Sequence, residues 1–104
     1  MSLQTVVLPS SLTAISSSLF RYCTALQTIV VPYGVDTIEY KAFCGCLALH
    51  TVVLPDSVTT IRVCALSGCS SLRSIIIPKG KRNYFEQLLK EYHNDDLIPY
   101  LKEV

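Results

Sequence analysis

Four short runs rich in β-branched residues recur along the chain, each stopped by a proline: TVVLP ending at Pro9, TIVVP at Pro32, TVVLP at Pro55 and SIIIP at Pro78. Leu3, Leu26, Leu49 and Leu72 are 23 residues apart, as are the four prolines, so the spacing holds without a gap. β-Branched side chains fit a pleated surface and proline ends a ladder. The pattern therefore predicts strands at Gln4 to Leu8, Gln27 to Val31, His50 to Leu54 and Arg73 to Ile77. Copies one circuit apart share a direction, so they should stack as a parallel sheet at roughly 4.8 Å per rung. Between them, Leu12/Ile15, Val35/Ile38 and Val58/Ile61 fall at i, i+3 ahead of Phe20, Phe43 and Leu66, a spacing suited to turns or one short helical turn.

After Pro78 the pattern changes. Phe85, Leu88, Leu89 and Tyr92 lie at i, i+3, i+4 and i+7, which predicts one amphipathic helix from Asn83 to His93. Charges crowd into this segment and are sparse in the repeats, as expected of a cap with one face on the last rung and one in water. The tail from Leu97 to Val104, with Pro99 inside it, is expected to add a short extended piece or a final turn. The chain reads as one α/β repeat domain over 1–104, with a solenoid at 1–78 and a C-terminal helical cap at 79–104.

Composition narrows the reading without redirecting it. Half of the 104 residues are apolar, yet no run approaches the roughly 18 uninterrupted apolar residues of a membrane-spanning helix, so the excess belongs inside the fold and membrane insertion is not expected. A net charge of +1 gives no field to draw in nucleic acid, an anionic membrane or an acidic substrate over long range. Met1-Ser2-Leu3 enters the repeat without the basic and then apolar blocks of a secretory leader. Five cysteines are an odd number, so at least one thiol stays outside any intrachain disulfide. Cys23, Cys46 and Cys69 share one repeat position and are expected to point inward as a reduced ladder, acting as small hydrophobes.

Three copies align in phase as CTALQTIVVP, CLALHTVVLP and CSSLRSIIIP, and the motif C-x-x-L-x-x-I-x-I-P at this period resembles the BspA-like leucine-rich-repeat family across almost the whole chain. PDSVTTI (Pro55 to Ile61), SGCSSL (Ser67 to Leu72) and IPKGKRNYFEQLL (Ile77 to Leu89) carry the likeness furthest. Tyr33-Gly34 departs from the Asp-Ser of the fullest repeat, Leu19 stands where Ala42 and Ala65 do, and Tyr22 takes the place of Gly45 and Gly68. The resemblance implies a leucine-rich-repeat solenoid in a cell-surface or secreted protein engaged in adhesion or protein binding.

The chemistry-bearing residues favour binding over catalysis. A Cys/His pair would have to draw on His50 or His93, while Cys44 and Cys64 have no His or Asp at their own rungs. Cys44-x-Cys46 has neither redox-loop nor zinc spacing, and no phosphate loop or metal motif is present, so no cofactor is expected. Asn94-Asp95-Asp96 reads as a solvated turn after the helix, and Lys79, Lys81 and Arg82 as a solvated start to the cap. Strand alternation turns Val6/Leu8, Ile29/Val31, Val52/Leu54 and Ile75/Ile77 inward. It leaves a hydroxyl row (Thr5, Thr28, Thr51, Ser74) beside an apolar row (Val7, Val30, Val53, Ile76), flanked by Gln4, Gln27, His50 and Arg73. Contiguous exposed apolar area of this kind marks interfaces. The candidate protein-binding face is thus Thr5, Val7, Thr28, Val30, His50, Thr51, Val53, Arg73, Ser74 and Ile76, for an unidentified protein or host-matrix ligand. The alternative is a structural spacer with no ligand of its own. Thr5 to Leu8 forms an uncharged edge strand, which points either to further repeats before it or to self-association through that edge.

Overall fold

The computed structural model describes residues 5–16, 20 and 22–104, with residues 5–7 through their backbone alone. Leu3, Gln4, Leu19 and the side chains of Thr5, Val6 and Val7 lie outside that description. Each circuit contributes one three- or four-residue strand to the expected parallel sheet: β1 (Thr5–Val7), β3 (Thr28–Val30), β5 (Thr51–Val53) and β7 (Ser74–Ile77). The register pairs Thr5 with Thr28, Thr28 with Thr51 and Thr51 with Ser74, so every rung is offset by the 23-residue period and like residues stack on like. Ile29, Val31, Val52, Leu54, Ile75 and Ile77 are buried as alternation requires, and Leu8 packs partly against the same core.

The returning half-circuit holds the expected turns, and between them a short extended stretch that the spacing does not predict. It forms a second parallel ladder of two-residue strands, β2 (Ala14–Ile15), β4 (Thr37–Ile38) and β6 (Thr60–Ile61), with Ile15, Ile38 and Ile61 paired in register and buried. The i, i+3 spacing arises because Leu12, Val35 and Val58 sit one turn earlier, where the amides of Leu12 and Val35 close i→i+3 bonds on Pro9 and Pro32. The solenoid therefore has two β walls with the core between them. Phe20 and Phe43 stack across adjacent rungs with ring centres 5.5 Å apart.

The cysteine ladder has a donor role beyond filling space. Each of Cys23, Cys46 and Cys69 closes a turn by accepting the amide of the leucine three residues on, at 3.1 Å. The Cys46 thiol then donates to the Phe20 carbonyl at 3.0 Å, and the Cys69 thiol to the Phe43 carbonyl at 3.2 Å, tying each rung to the one before. All five cysteines are unbridged. Burial pushes the Cys23 thiol above its ordinary value. In the adjacent Cys46/Cys69 pair the Cys69 proton is held far up, first by its contact with the Cys46 sulfur and then by burial.

The backbone adopts a left-handed conformation at one repeat position in every rung: Gly45 and Gly68 there have φ of +76° and +78°, and Tyr22 takes +60°. A Cβ on Gly45 would meet a ring carbon of Tyr22 at 2.7 Å, so the Tyr22 ring lies over the bare glycine of the next rung. The tyrosine that departs from the repeat is accommodated by its glycine neighbour.

The last rung is closed by helix α1 (Arg82–Glu91), a 3-10 turn at Asp95–Tyr100 and a fifth long-wall strand, β8 (Leu101–Glu103). α1 begins and ends within two residues of the span expected from periodicity, and it buries Phe85, Leu88 and Leu89. β8 extends the sheet in the order β1-β3-β5-β7-β8 and remains parallel, pairing Ile75 with Leu101, which makes this final circuit 26 residues long instead of 23. Phe85, Leu89, Leu97 and Leu101 meet Ile61, Ala65, Leu66 and Ile75 around a residual void of about 10 Å³, so the end of the core is filled.

Candidate functional site

The outer face of the long wall is built by strand register. Because paired residues in a parallel ladder present their side chains on the same side, Thr28, Thr51 and Ser74 form one row and Val30, Val53 and Ile76 a second. The hydroxyl row is half-buried by its neighbours. In the apolar row Val30 is 49% exposed and Val53 and Ile76 are half-buried. Gln27 and Arg73 are exposed at the strand starts, and between them His50 sets Nδ1 2.8 Å from Thr51 Oγ1. The backbone carbonyl of His50 accepts both the Arg73 and Ser74 amides at 3.0 Å, and that of Gln27 accepts the His50 and Thr51 amides, which fixes these strand starts rung to rung. Eight of the ten expected face residues are thus brought together on one surface, while the side chains of Thr5 and Val7 lie outside the described residues.

Sequence reasoning missed a further member of this face. Lys102 on β8 pairs with Ile76, so it stands at the end of the apolar row and is exposed there. Its neighbour Glu103 is turned to the Gly80 amide, which donates to Glu103 Oε1 at 2.6 Å. The signal lay in Leu101, whose burial against Ile75 sets the register, but one apolar residue after a proline carries no strand periodicity.

A second group of chemistry-bearing side chains converges where the cap meets the last rung. Cys64, Ser67, His93 and Asp96 line a cavity of about 140 Å³ with Val63, Leu66, Asn94 and Leu97. The sequence places Cys64 and His93 far apart, and the cap brings them to one cavity. Cys64 and His93 share this cavity as lining groups. His93 also has a backbone role. With φ of +63° it is the left-handed residue that ends α1, where its amide donates to the Lys90 carbonyl at 3.2 Å and the Asn94 amide to the Leu89 carbonyl at 2.7 Å.

That turn aims Asn94 inward. Expected in a solvated turn, Asn94 is 4% exposed, and its Nδ2 donates to the Ile61 carbonyl at 2.8 Å. Along the short wall the carbonyls of Ile15 and Ile38 accept the amides of Glu39 and Arg62 from the next rung, so the Asn94 amide stands in for the strand that the short wall lacks beyond β6. Asp95 and Asp96 are exposed in the first turn of the 3-10 segment, as a solvated turn predicts. Tyr84 helps in the same way, its hydroxyl donating to the Val58 carbonyl at 2.5 Å. Burial, reinforced by Asp56 and Glu91, raises the Tyr84 phenol above its ordinary value and keeps it a donor.

No helix among the described residues is long and apolar enough to cross a membrane, and no group of three or more metal-ligating side chains is assembled among them. A comparison with curated proteins finds no match. Among solved structures, a leucine rich cell surface protein from Faecalibacterium prausnitzii A2-165 is similar, at 33% identity and a TM-score of 0.73 over 78% of this chain. The alignment covers 21% of that protein, so the chain spans about a fifth of its length. Residues 1–94 match the BspA type leucine rich repeat region in six copies. In-phase motifs, two parallel walls and this match lead to one conclusion: the chain belongs to the BspA-type leucine-rich-repeat family.

Proposed function

We propose that the chain is a non-enzymatic protein-binding or adhesion module of a cell-surface or secreted protein, taking its partner on the outer face of the long wall. The observation that carries this reading is the unbroken apolar row of Val30, Val53 and Ile76 beside a hydroxyl row, on a sheet whose strands are held in fixed register. Apolar groups in contiguous array gain free energy when covered, and flanking hydroxyls supply hydrogen bonds that give direction. The cell-surface setting is supported by the description of the similar Faecalibacterium protein.

Selection of a randomised dodecapeptide display library on the protein tests the reading. Val30→Glu with Val53→Glu places charge in the apolar row at exposed and half-buried positions, so the circular dichroism spectrum stays unchanged while binding of the selected peptides is lost. Equal binding by this variant, or a library that enriches nothing, would overturn the reading in favour of a spacer.

A further inference from the structure

We infer that the partner recognised by the long-wall face is an acidic segment of a protein, one in which carboxylates alternate with apolar side chains. The inference rests on the face being a binding surface, and it adds the chemistry of what is bound. Its basis is the sign and placement of charge around the rows. Arg73 stands exposed at the start of β7, and Lys102 stands exposed at the end of the apolar row, beyond Ile76. Neither is held in an ion pair among the described residues, whose ion pairs are Arg62 with Glu39 and Arg82 with Glu86. Thr28, Val30, Thr51, Val53, Ser74 and Ile76 contribute no carboxylate to the face. The acid nearest in sequence, Glu103, lies on the opposite side of β8 from Lys102, in register with Ile77, and directs Oε1 to the Gly80 amide, while Asp56 belongs to the turn after Pro55.

Two cations outside any ion pair, bordering rows that hold no carboxylate, set a local preference that the net charge of +1 for the whole chain conceals. The cations border the rung at which Ser74 and Ile76 lie, so a carboxylate reaching Arg73 or Lys102 passes beside both a hydroxyl and an apolar side chain. That juxtaposition suits a polypeptide better than an anionic polysaccharide. A sugar chain would engage the basic and hydroxyl groups and leave Val30, Val53 and Ile76 uncovered, whereas a peptide offers apolar side chains to that row.

The same randomised dodecapeptide library, selected at low salt, supplies the probe. Enriched sequences are expected to carry net negative charge with interspersed apolar residues. Their affinity should fall about three- to tenfold in Arg73→Gln with Lys102→Gln, two exposed substitutions that leave the fold intact. It should fall again when ionic strength is raised from about 50 mM to about 500 mM. Enriched peptides that are neutral or basic, yet are lost in the Val30→Glu/Val53→Glu variant, would overturn the acidic partner and leave the face reading standing. Acidic peptides that bind the Val30→Glu/Val53→Glu variant as well as the parent would sink both. Heparin binding with no enrichment of acidic peptides would assign the cations to an anionic glycan and overturn the proposal.

Discussion

At the C-terminal rung the two walls of the solenoid present the same chemical problem and meet different solutions. On the long wall β7 is followed by another strand, and β8 continues the backbone ladder with the Val104 amide donating to the Ile77 carbonyl at 3.0 Å. On the short wall β6 is the last strand among the described residues, and the carbonyls of the buried Val58 and Ile61 are met by side chains, the Tyr84 hydroxyl and the Asn94 amide. A buried carbonyl must be paired, but the pairing group need not be backbone. The choice has a consequence for function. Ending a wall with side chains stops its surface there, whereas ending it with a strand enlarges the surface, and β8 is how Lys102 joins the candidate binding face.

The comparison breaks first at the hydrophobic groups that seat the cap. Leu101 is 4% exposed and anchors β8 against Ile75. Leu101→Ala leaves a cavity at the end of the core and should cost about 2–5 kcal/mol, read as a lower midpoint in urea unfolding. If β8 were merely laid on the sheet by backbone pairing, the loss would stay well below that range.

At the short wall the expected effect is smaller, because one donor is at stake. Asn94→Ala leaves the Ile61 carbonyl unpaired and should cost about 1–3 kcal/mol. Asn94→Asp sharpens the point through its pH dependence. A carboxyl buried against a carbonyl has a folded-state pKa raised above the unfolded value of about 3.9, because only its protonated form can donate. The variant's folded state therefore binds more protons above that pH, and its stability relative to the parent falls as pH rises through the window between the two values. Near pH 4 the variant should approach the parent, and at pH 7 it should be the less stable of the two. A pH-independent difference would mean that Asn94 acts by shape and not as a donor.

These two ends also separate what could be read in the sequence from what could not. The long wall was legible because a gapless period of 23 stacks Thr28 on Thr51 on Ser74, and burial on one side forces the register of Ile29, Val52 and Ile75. The helix was legible from Phe85, Leu88, Leu89 and Tyr92. The short wall was hidden because two residues such as Thr37–Ile38 are too few to display alternation, and the preceding turn mimics a helical i, i+3 spacing. Asn94 sits in a polar run with Asp95 and Asp96, and its burial depends on a partner 33 residues earlier that no local pattern reveals. The inward cysteine position was predicted from its recurrence, but the thiol bonds to Phe20 and Phe43 depend on the distance between rungs. For the candidate site the rows were legible, and the cation at their end was not, since Lys102 gains its place only through the 26-residue final circuit.

The smallest effect tests whether the long wall's ending also copies the repeat at its turns. Between ordinary rungs the Gly34 amide donates to Ser57 Oγ at 3.0 Å, and that hydroxyl in turn donates to the Val35 carbonyl at 2.8 Å. At the last rung the Gly80 amide donates to Glu103 Oε1, again to a residue 23 positions on. The cap thus reuses the spacing of the repeat with a different acceptor, and the carboxylate makes the bond charge-assisted where the hydroxyl does not. Both sites are largely open to water, so Ser57→Ala and Glu103→Ala should each cost only about 0.5–1 kcal/mol. They should differ in salt dependence. The Glu103→Ala loss should shrink as ionic strength rises, because screening already weakens the parent's bond, whereas the Ser57→Ala loss should hold steady. Matching salt dependence in urea unfolding would show that Glu103 acts through β8 packing and not through the Gly80 amide, and the likeness between cap and rung would end at the backbone.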